Sequence, residues 1–293
     1  MFRSYVIFDV NYLAWRAFYS TGQLSNAGDA TGVIFGVLRE LQVAKERFAG
    51  HRFVFCFDHA RGLRELVMPG YKATRRAKRV SEEEAAALDG LRQQVTSLKF
   101  KYLERLGYNN VFFQSGYEAD DYIAAVCQTC VKETDKAVIY SDDKDLYQLL
   151  RPNVSMWKPR TGVLYTMKQF VKDYGIQPQN WARVKAIAGC SSDDVPGVPG
   201  VGEKTAVDYL NGNLKTTTKK YLDIVKSKAV WRKNIPIVRL PLTIDGAVQL
   251  KPPAIVKDDA TPQKWDAVAE SLGMSTLAGG MPGGIDRKPL LKV

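Results

Sequence analysis

Gly116-Tyr117-Glu118-Ala119-Asp120-Asp121 is the stretch on which the reading of this chain turns. It follows an apolar run, Val111-Phe112-Phe113, that reads as a buried strand. It opens an amphipathic helix carrying Tyr122, Ile123, Val126 and Val131. One carboxylate in a helix's first turn is favoured by the macrodipole and needs no further reason. Three so close together repel one another, and a divalent cation would relieve that repulsion.

Other acids stand at comparable places. The strand Arg3 to Phe8 ends at Asp9, and a helix from Asn11 to Tyr19 follows it, bearing Arg16. A second helix, from about Thr31 to Phe48, has apolar residues at 33, 34, 37, 38, 41 and 44. The strand Phe53 to Phe57 ends at Asp58, and the strand Lys136 to Tyr140 runs into Ser141-Asp142-Asp143-Lys144-Asp145 before a short helix. Strands alternating with helices predict an α/β fold with a parallel sheet, whose carboxyl edge collects ligands and catalytic groups. Asp9, Asp58, Glu118, Asp120, Asp121, Asp143 and Asp145 therefore converge. All-oxygen donors of this kind suit a hard cation, chiefly Mg2+ or Mn2+.

Between Asp58 and the central stretch the chain turns basic. Arg61, Arg64, Lys72, Arg75, Arg76, Lys78 and Arg79 face only Glu65, and Pro69-Gly70 interrupts any helix there. A charge run is commonly a solvated surface, but this one must overhang the acidic edge, where it can clamp phosphates. Ser81 and Glu84 then form a capping box that starts a long helix through Leu106.

The 293 residues carry a net charge of +11 at pH 7, with pI near 9.4, which points to a polyanionic partner. Hydrophobic content of 45% and aromatic content of 11% fit a globular chain. No apolar run reaches the ~18 residues of a membrane span, and Asp9 interrupts the apolar start, against a signal peptide. Four cysteines suggest a reduced, intracellular protein. Cys127-x-x-Cys130 lies in a helical pattern with no second pair, against a zinc site.

Residues 189–205 read Gly-Cys-Ser-Ser-Asp-Asp-Val-Pro-Gly-Val-Pro-Gly-Val-Gly-Glu-Lys-Thr. A P-loop needs Lys directly after its last Gly and a strand before it, and neither holds here. Helical patterns flank the stretch, so it reads as a helix-hairpin-helix. Gly197, Gly200 and Gly202 would allow close backbone approach, and the second helix, from Glu203 with Lys204 and Thr205, would offer free N–H groups to a DNA phosphate. Beyond it, Ile237, Val238 and Leu240 suggest a short strand, residues 263–272 a helix, and Gly279 to Gly284 a flexible tail.

Together, Gly-Tyr-Glu-Ala-Asp-Asp, Ser-Asp-Asp-Lys-Asp-Leu-Tyr-Gln-Leu-Leu and the hairpin closely resemble the 5′-nuclease superfamily. The likeness is greatest to bacteriophage 5′–3′ exonucleases (flap endonucleases) and the 5′-nuclease domain of bacterial DNA polymerase I, over about residues 3–240. The resemblance implies a PIN-like, Rossmann-like sheet and a basic helical arch at about 60–100. It divides the chain into a catalytic domain (1–165), a hairpin region (166–245) and a C-terminal extension (246–293). It implies two metal ions, the first among Asp9, Asp58, Glu118, Asp120, Asp121 and Asp143, the second at Asp145 and Asp193. Arg16, Lys72 and Arg75 would hold the scissile phosphate and the 5′ strand, with Arg76 beside them, and Lys72, Arg75, Asp58, Glu118 and Asp143 would be catalytic. The hairpin from Gly197 to Thr205 would grip duplex and associate with K+. Cys190 stands where the family pattern has a carboxylate, so Mg2+ affinity at the second position is expected to fall unless Asp194 substitutes.

The expected activity is hydrolysis of DNA near 5′ ends, in a monomer of the bacterial or phage-infected cytoplasm, away from membranes. An RNA–DNA hybrid is a possible further substrate. A DNA-binding accessory protein and a PIN-like ribonuclease are the rival readings. A dehydrogenase is excluded, since no G-x-G-x-x-G follows the first strand.

Overall fold

The computed structural model describes residues 3–59, 62–244, 247 and 249–278. Arg61 and the Gly279 to Gly284 tail lie outside them. A six-stranded sheet runs in the order Val111–Phe112, Arg52–Cys56, Ser4–Asp9, Lys136–Tyr140, Val154–Lys158 and Val163–Tyr165. The first five strands are parallel, and only the last is antiparallel to its neighbour. Asp9 pairs in register with Cys56, and Phe8 with Tyr140, so the acids following the three central strands emerge along one edge.

Both faces of the sheet are covered. Tyr5, Ile7, Val54 and Ile139 pack under the helices Ala119–Thr129 and Trp181–Ala188. The alternate residues Val6, Phe8, Phe55 and Tyr140 pack under Val10–Thr21, Gly32–Arg47 and Glu82–Ser97. Burial on both faces explains why these strands are nearly continuous apolar runs rather than alternating ones.

Several local expectations change. Two short helices, Arg64–Val67 and Ala73–Ala77, flank the Pro69-Gly70 break in the basic stretch. The long helix after Ser81 passes through a π turn, Leu98–Tyr102, before its last turn at Leu103–Arg105. Ile237 and Val238 are not a strand; they end the helix Lys228–Val238. Trp231, Asn234 and Ile237 recur every three residues and bury one face, and that helical spacing outweighs the local β preference. Pro236 lies inside this helix, where it supplies no N–H to the Arg232 carbonyl one turn back.

The helix expected at 263–272 is Pro262–Ser271, and its Trp265 joins the sheet's core. The strap before it closes the sheet's far edge. Asp258 accepts hydrogen bonds from the Phe53 and Asn109 N–H groups, and Arg52 Nη1 donates to the Ile255 carbonyl.

Candidate active site

Asp9 caps the helix that follows it, accepting from the Tyr12 N–H at 2.9 Å, while its other oxygen accepts from Ser141 Oγ at 3.0 Å. Ser141 Oγ in turn accepts from the Asp143 N–H, so one hydroxyl ties together two strand ends. Asp58 likewise accepts from the Ala119 N–H at 2.8 Å, capping the helix of the central stretch from a neighbouring strand. Asp120 projects from that helix's first turn.

The electrostatics of this group are those of like charges crowded in protein. Burial pushes Asp9 up to about 7, with Asp58 and Asp143 adding to the effect. Burial, then Asp145, pushes Asp143 up to about 6. Asp120 is raised well above the carboxylate range by burial and by Asp143, Asp9, Glu118 and Asp145. Asp58 reaches solvent but is ringed by protein and is also raised, with Lys72 and Arg75 opposing. Such a set stores repulsion that a cation would release. Among the described residues no three Asp, Glu, His or Cys side chains already stand close enough to bind one ion directly. The donors therefore fit a hard cation that keeps part of its water shell, as Mg2+ does.

Glu118 and Asp121 are different. Asp121 is fully buried and takes both arms of the Arg64 guanidinium, at 2.7 and 2.8 Å. It also accepts from the Leu242 and Glu118 N–H groups. Burial works against ionised Glu118, but Arg64 and Lys72 overcome it and hold its pKa below the usual value. Lys72 Nζ lies 2.6 Å from Glu118 Oε1 and 3.8 Å from Asp193 Oδ1.

A cavity of about 260 Å³ opens between these groups, lined by Lys72, Arg75, Glu118, Asp120, Asp143 and Asp145, with Asp193 on its far wall. Arg75 sits over the Trp15 ring, 5.8 Å from its centroid, and has no ion-pair partner among the described residues. The basic segment is anchored to the turn before the hairpin. The Lys72 N–H donates to the Asp193 carbonyl, and the Thr74 N–H and hydroxyl donate to Asp194 at 2.8 and 2.7 Å.

The hairpin is built on backbone contact. A Cβ on Gly197 would stand 2.1 Å from the Ala188 carbonyl oxygen, and one on Gly189 2.4 Å from the Gly197 nitrogen. Gly200 and Gly202 instead face open space. The Val198 N–H closes the turn on the Ile187 carbonyl, and the helix Glu203–Leu210 begins directly after Gly202.

With that arrangement in view, comparison with known proteins is decisive. Residues 4–175 match the family described as 5′-3′ exonuclease, N-terminal resolvase-like domain. The chain belongs to this family.

The 5′-3′ exonuclease of Aquifex aeolicus is 31% identical over 229 residues, 78% of this chain and 73% of that protein. The thermostable DNA polymerase I of Thermus filiformis is 32% identical over 231 residues, and this chain spans only 26% of its length. Among solved structures, the T5 5′-exonuclease with bound zinc superposes with a TM-score of 0.68 at 20% identity, over 82% of this chain and 90% of that one. A T5 flap endonuclease complex with DNA and metal ions gives 0.70 at 18% identity, over 94% and 97%. The mostly parallel sheet flanked by helices is that fold.

Within this family member the expected site residues divide. Asp9, Asp58, Asp120, Asp143 and Asp145 meet at the sheet edge, with Glu118, Lys72 and Arg75 beside them. Asp121, expected to bind metal, is committed to Arg64 instead, because its position points into the core. Asp194, the expected substitute for the carboxylate missing at Cys190, accepts from Thr74 through both oxygens. Arg16, expected to hold DNA, is paired with Glu40 at 2.6 Å, and Tyr140 Oη donates to the same carboxylate. Arg76 pairs with Glu65. Lys204 is exposed and Thr205 half-buried at the start of the hairpin's second helix.

Sequence reasoning gave no individual role to Arg64, Tyr71, Lys99, Ser141 or Lys185. Tyr71 Oη donates to Glu118. Lys99, in the π turn, donates to the Asp58 carbonyl and lies over the Phe113 ring. Two of them left a trace, Arg64 as one of a run of cations and Ser141 as the first residue of the acidic motif after the Lys136–Tyr140 strand.

Proposed function

We propose that this chain is a structure-specific 5′ nuclease that hydrolyses DNA phosphodiester bonds near a free 5′ end, at a flap or by exonuclease action, in replication or repair. The observation that carries this reading is the cleft in which Asp120 and Asp143 face Arg75, none of the three with an ion-pair partner among the described residues, with the crowded carboxylates Asp9 and Asp58 beside them. Cations that simply neutralised the acids would have paired with them. Arg75 is left to meet a phosphate.

The four acids suit one divalent cation, Mg2+ or Mn2+; the resemblance implies a second at Asp145 and Asp193, whose carboxylates already face Lys185 and Lys72. A bound divalent ion supplies a water of lowered pKa and stabilises charge on the phosphoryl oxygens. The chain's own groups do the rest. Ser141 orients Asp9 toward the edge. Arg75, braced on Trp15, neutralises the scissile phosphate from above, and Lys72 does so when its contact with Glu118 opens. Gly200 and Gly202, which face open space, let a duplex phosphate approach the N–H groups at the start of the helix Glu203–Leu210, beside Lys204 and Thr205. A K+ ion at this hairpin, a monomeric state, activity on RNA–DNA hybrids and a cytoplasmic setting belong to the same proposal. So do the division into domains at 165 and 245 and the arch role of residues 60–100.

Asp143→Ala tests the assignment. Incubated with a labelled 5′-flap duplex and Mg2+, the variant should lose cleavage while retaining most of its DNA binding. Strong residual cleavage refutes the site, and no cleavage by the unaltered chain favours a DNA-binding accessory protein.

A further inference from the structure

The acids of the cleft fall into two groups according to how their charge is met. Asp9, Asp58, Asp120 and Asp143 have no Lys, Arg or His within ion-pair distance among the described residues, and their mutual repulsion is left standing. Across the cleft the opposite holds. Lys185 Nζ lies 2.9 Å from Asp145 Oδ1 and 3.4 Å from Glu203 Oε1, with its side chain only 11% exposed. Lys72 reaches Asp193 Oδ1, and the Cys190 thiol donates to Asp193 Oδ2 at 3.4 Å. Asp194 is turned away to Thr74.

An ion entering this half would meet an Asp145 oxygen that already faces one ammonium and Asp193 oxygens that face another and a thiol. It would also gain a neutral thiol where a hard cation wants oxygen. The incoming ion would have to displace a largely buried ammonium or sit beside it, and like charges a few ångströms apart repel strongly where water is scarce.

We propose that the Lys185 ammonium occupies the place of a second ion in this chain, which therefore holds a single divalent cation, among Asp9, Asp58, Asp120 and Asp143. This inference rests on the nuclease reading of the same cleft. It also gives Lys185 a positioning role. Lys185 belongs to the first hairpin helix, Trp181–Ala188, and Glu203 opens the second, so one fixed charge joins both DNA-gripping helices to the acidic edge.

The test is a count of bound ions by calorimetric titration of Mn2+ into the chelator-stripped, DNA-free full chain, checked by the electron-spin signal of free Mn2+. One ion per chain is expected, both for the unaltered protein and for Cys190→Asp, in which Lys185 still blocks the position. Two are expected for Cys190→Asp combined with Lys185→Met. Two ions in the unaltered protein overturn the inference and leave the nuclease reading intact. Two in Cys190→Asp alone assign the block to the thiol and remove Lys185 from the argument. One in the double variant, with an unchanged circular-dichroism spectrum, also overturns it. No bound ion in the unaltered protein sinks the inference and the nuclease reading together.

Discussion

Asp120 and Asp121 are neighbours in one helical turn, and replacing each by Asn should produce opposite results. Asp121 has no exposed surface and faces Arg64, which is 3% exposed and donates to it through both terminal nitrogens. Removing one partner of a buried pair leaves an uncompensated charge and costs about 3–5 kcal/mol. Arg64 keeps Glu118 at 3.2 Å, so the lower end, about 3 kcal/mol, applies to Asp121→Asn. Against a total stability of about 5–15 kcal/mol this is a large loss, and it should lower the melting temperature by roughly 5–10 °C.

Asp120→Asn removes a charge that its surroundings already oppose. The metal-free protein should melt no lower, and at pH 7 somewhat higher, while cleavage and divalent-ion binding collapse. Thermal and urea unfolding in chelator, with a Mn2+ titration of each variant, separate the two. If Asp121→Asn kept its unfolding midpoint but lost Mn2+ affinity, the division of the acids drawn here would be wrong. Arg64→Met with Asp121→Leu should recover part of the lost stability, since apolar groups can fill a buried ion-pair site.

The raised carboxylates also set a pH dependence. Asp9 at about 7 and Asp143 at about 6 bind more protons in the folded state than in the unfolded one between about pH 4 and 7, so the metal-free protein should lose stability as pH rises through that window and level off above it. A melting temperature that climbed from pH 5 to pH 8 in chelator would refute this, and saturating Mg2+ should raise it far more at pH 8 than at pH 5. Arg75→Ala should leave unfolding unchanged and reduce single-turnover cleavage by about 10²–10³-fold, the loss typical of a transition-state charge contact; a change only in flap affinity would make it a binding residue. In the hairpin, Gly197→Ala places a Cβ 2.1 Å from backbone and should destabilise by about 2 kcal/mol or more, whereas Gly202→Ala meets nothing within 4 Å and should fold normally while weakening duplex binding in a gel-shift assay. Equal melting temperatures for the two glycine variants would remove the close-approach argument.

Much of this was legible along the chain because it is local. A buried strand announces itself as an apolar run, and the residue after it must emerge at the sheet's edge, so Asp9, Asp58 and Asp143 could be placed together without coordinates. The hairpin's glycines carried a similar local signal. The strand expected at Ile237 to Leu240 failed because three apolar residues at close spacing do not distinguish a short strand from the last turn of a helix. The contacts of the C-terminal strap were not legible either: it is bonded to Phe53 and Asn110 of the sheet edge, far away in sequence.

By itself the sequence determined that acids would gather along one edge of a parallel sheet beneath a basic segment, because strand ends and charge runs are written in neighbouring residues. It could not say which acid meets which cation. Asp120 and Asp121 differ by a single position, yet helical rotation sends one to the cleft and the other into the core. Arg64 meets Asp121 from 57 positions away, and Lys185 meets Asp145 from the first hairpin helix. Pairing of charges depends on distance through space and exclusion of water, and only the packed chain supplies both.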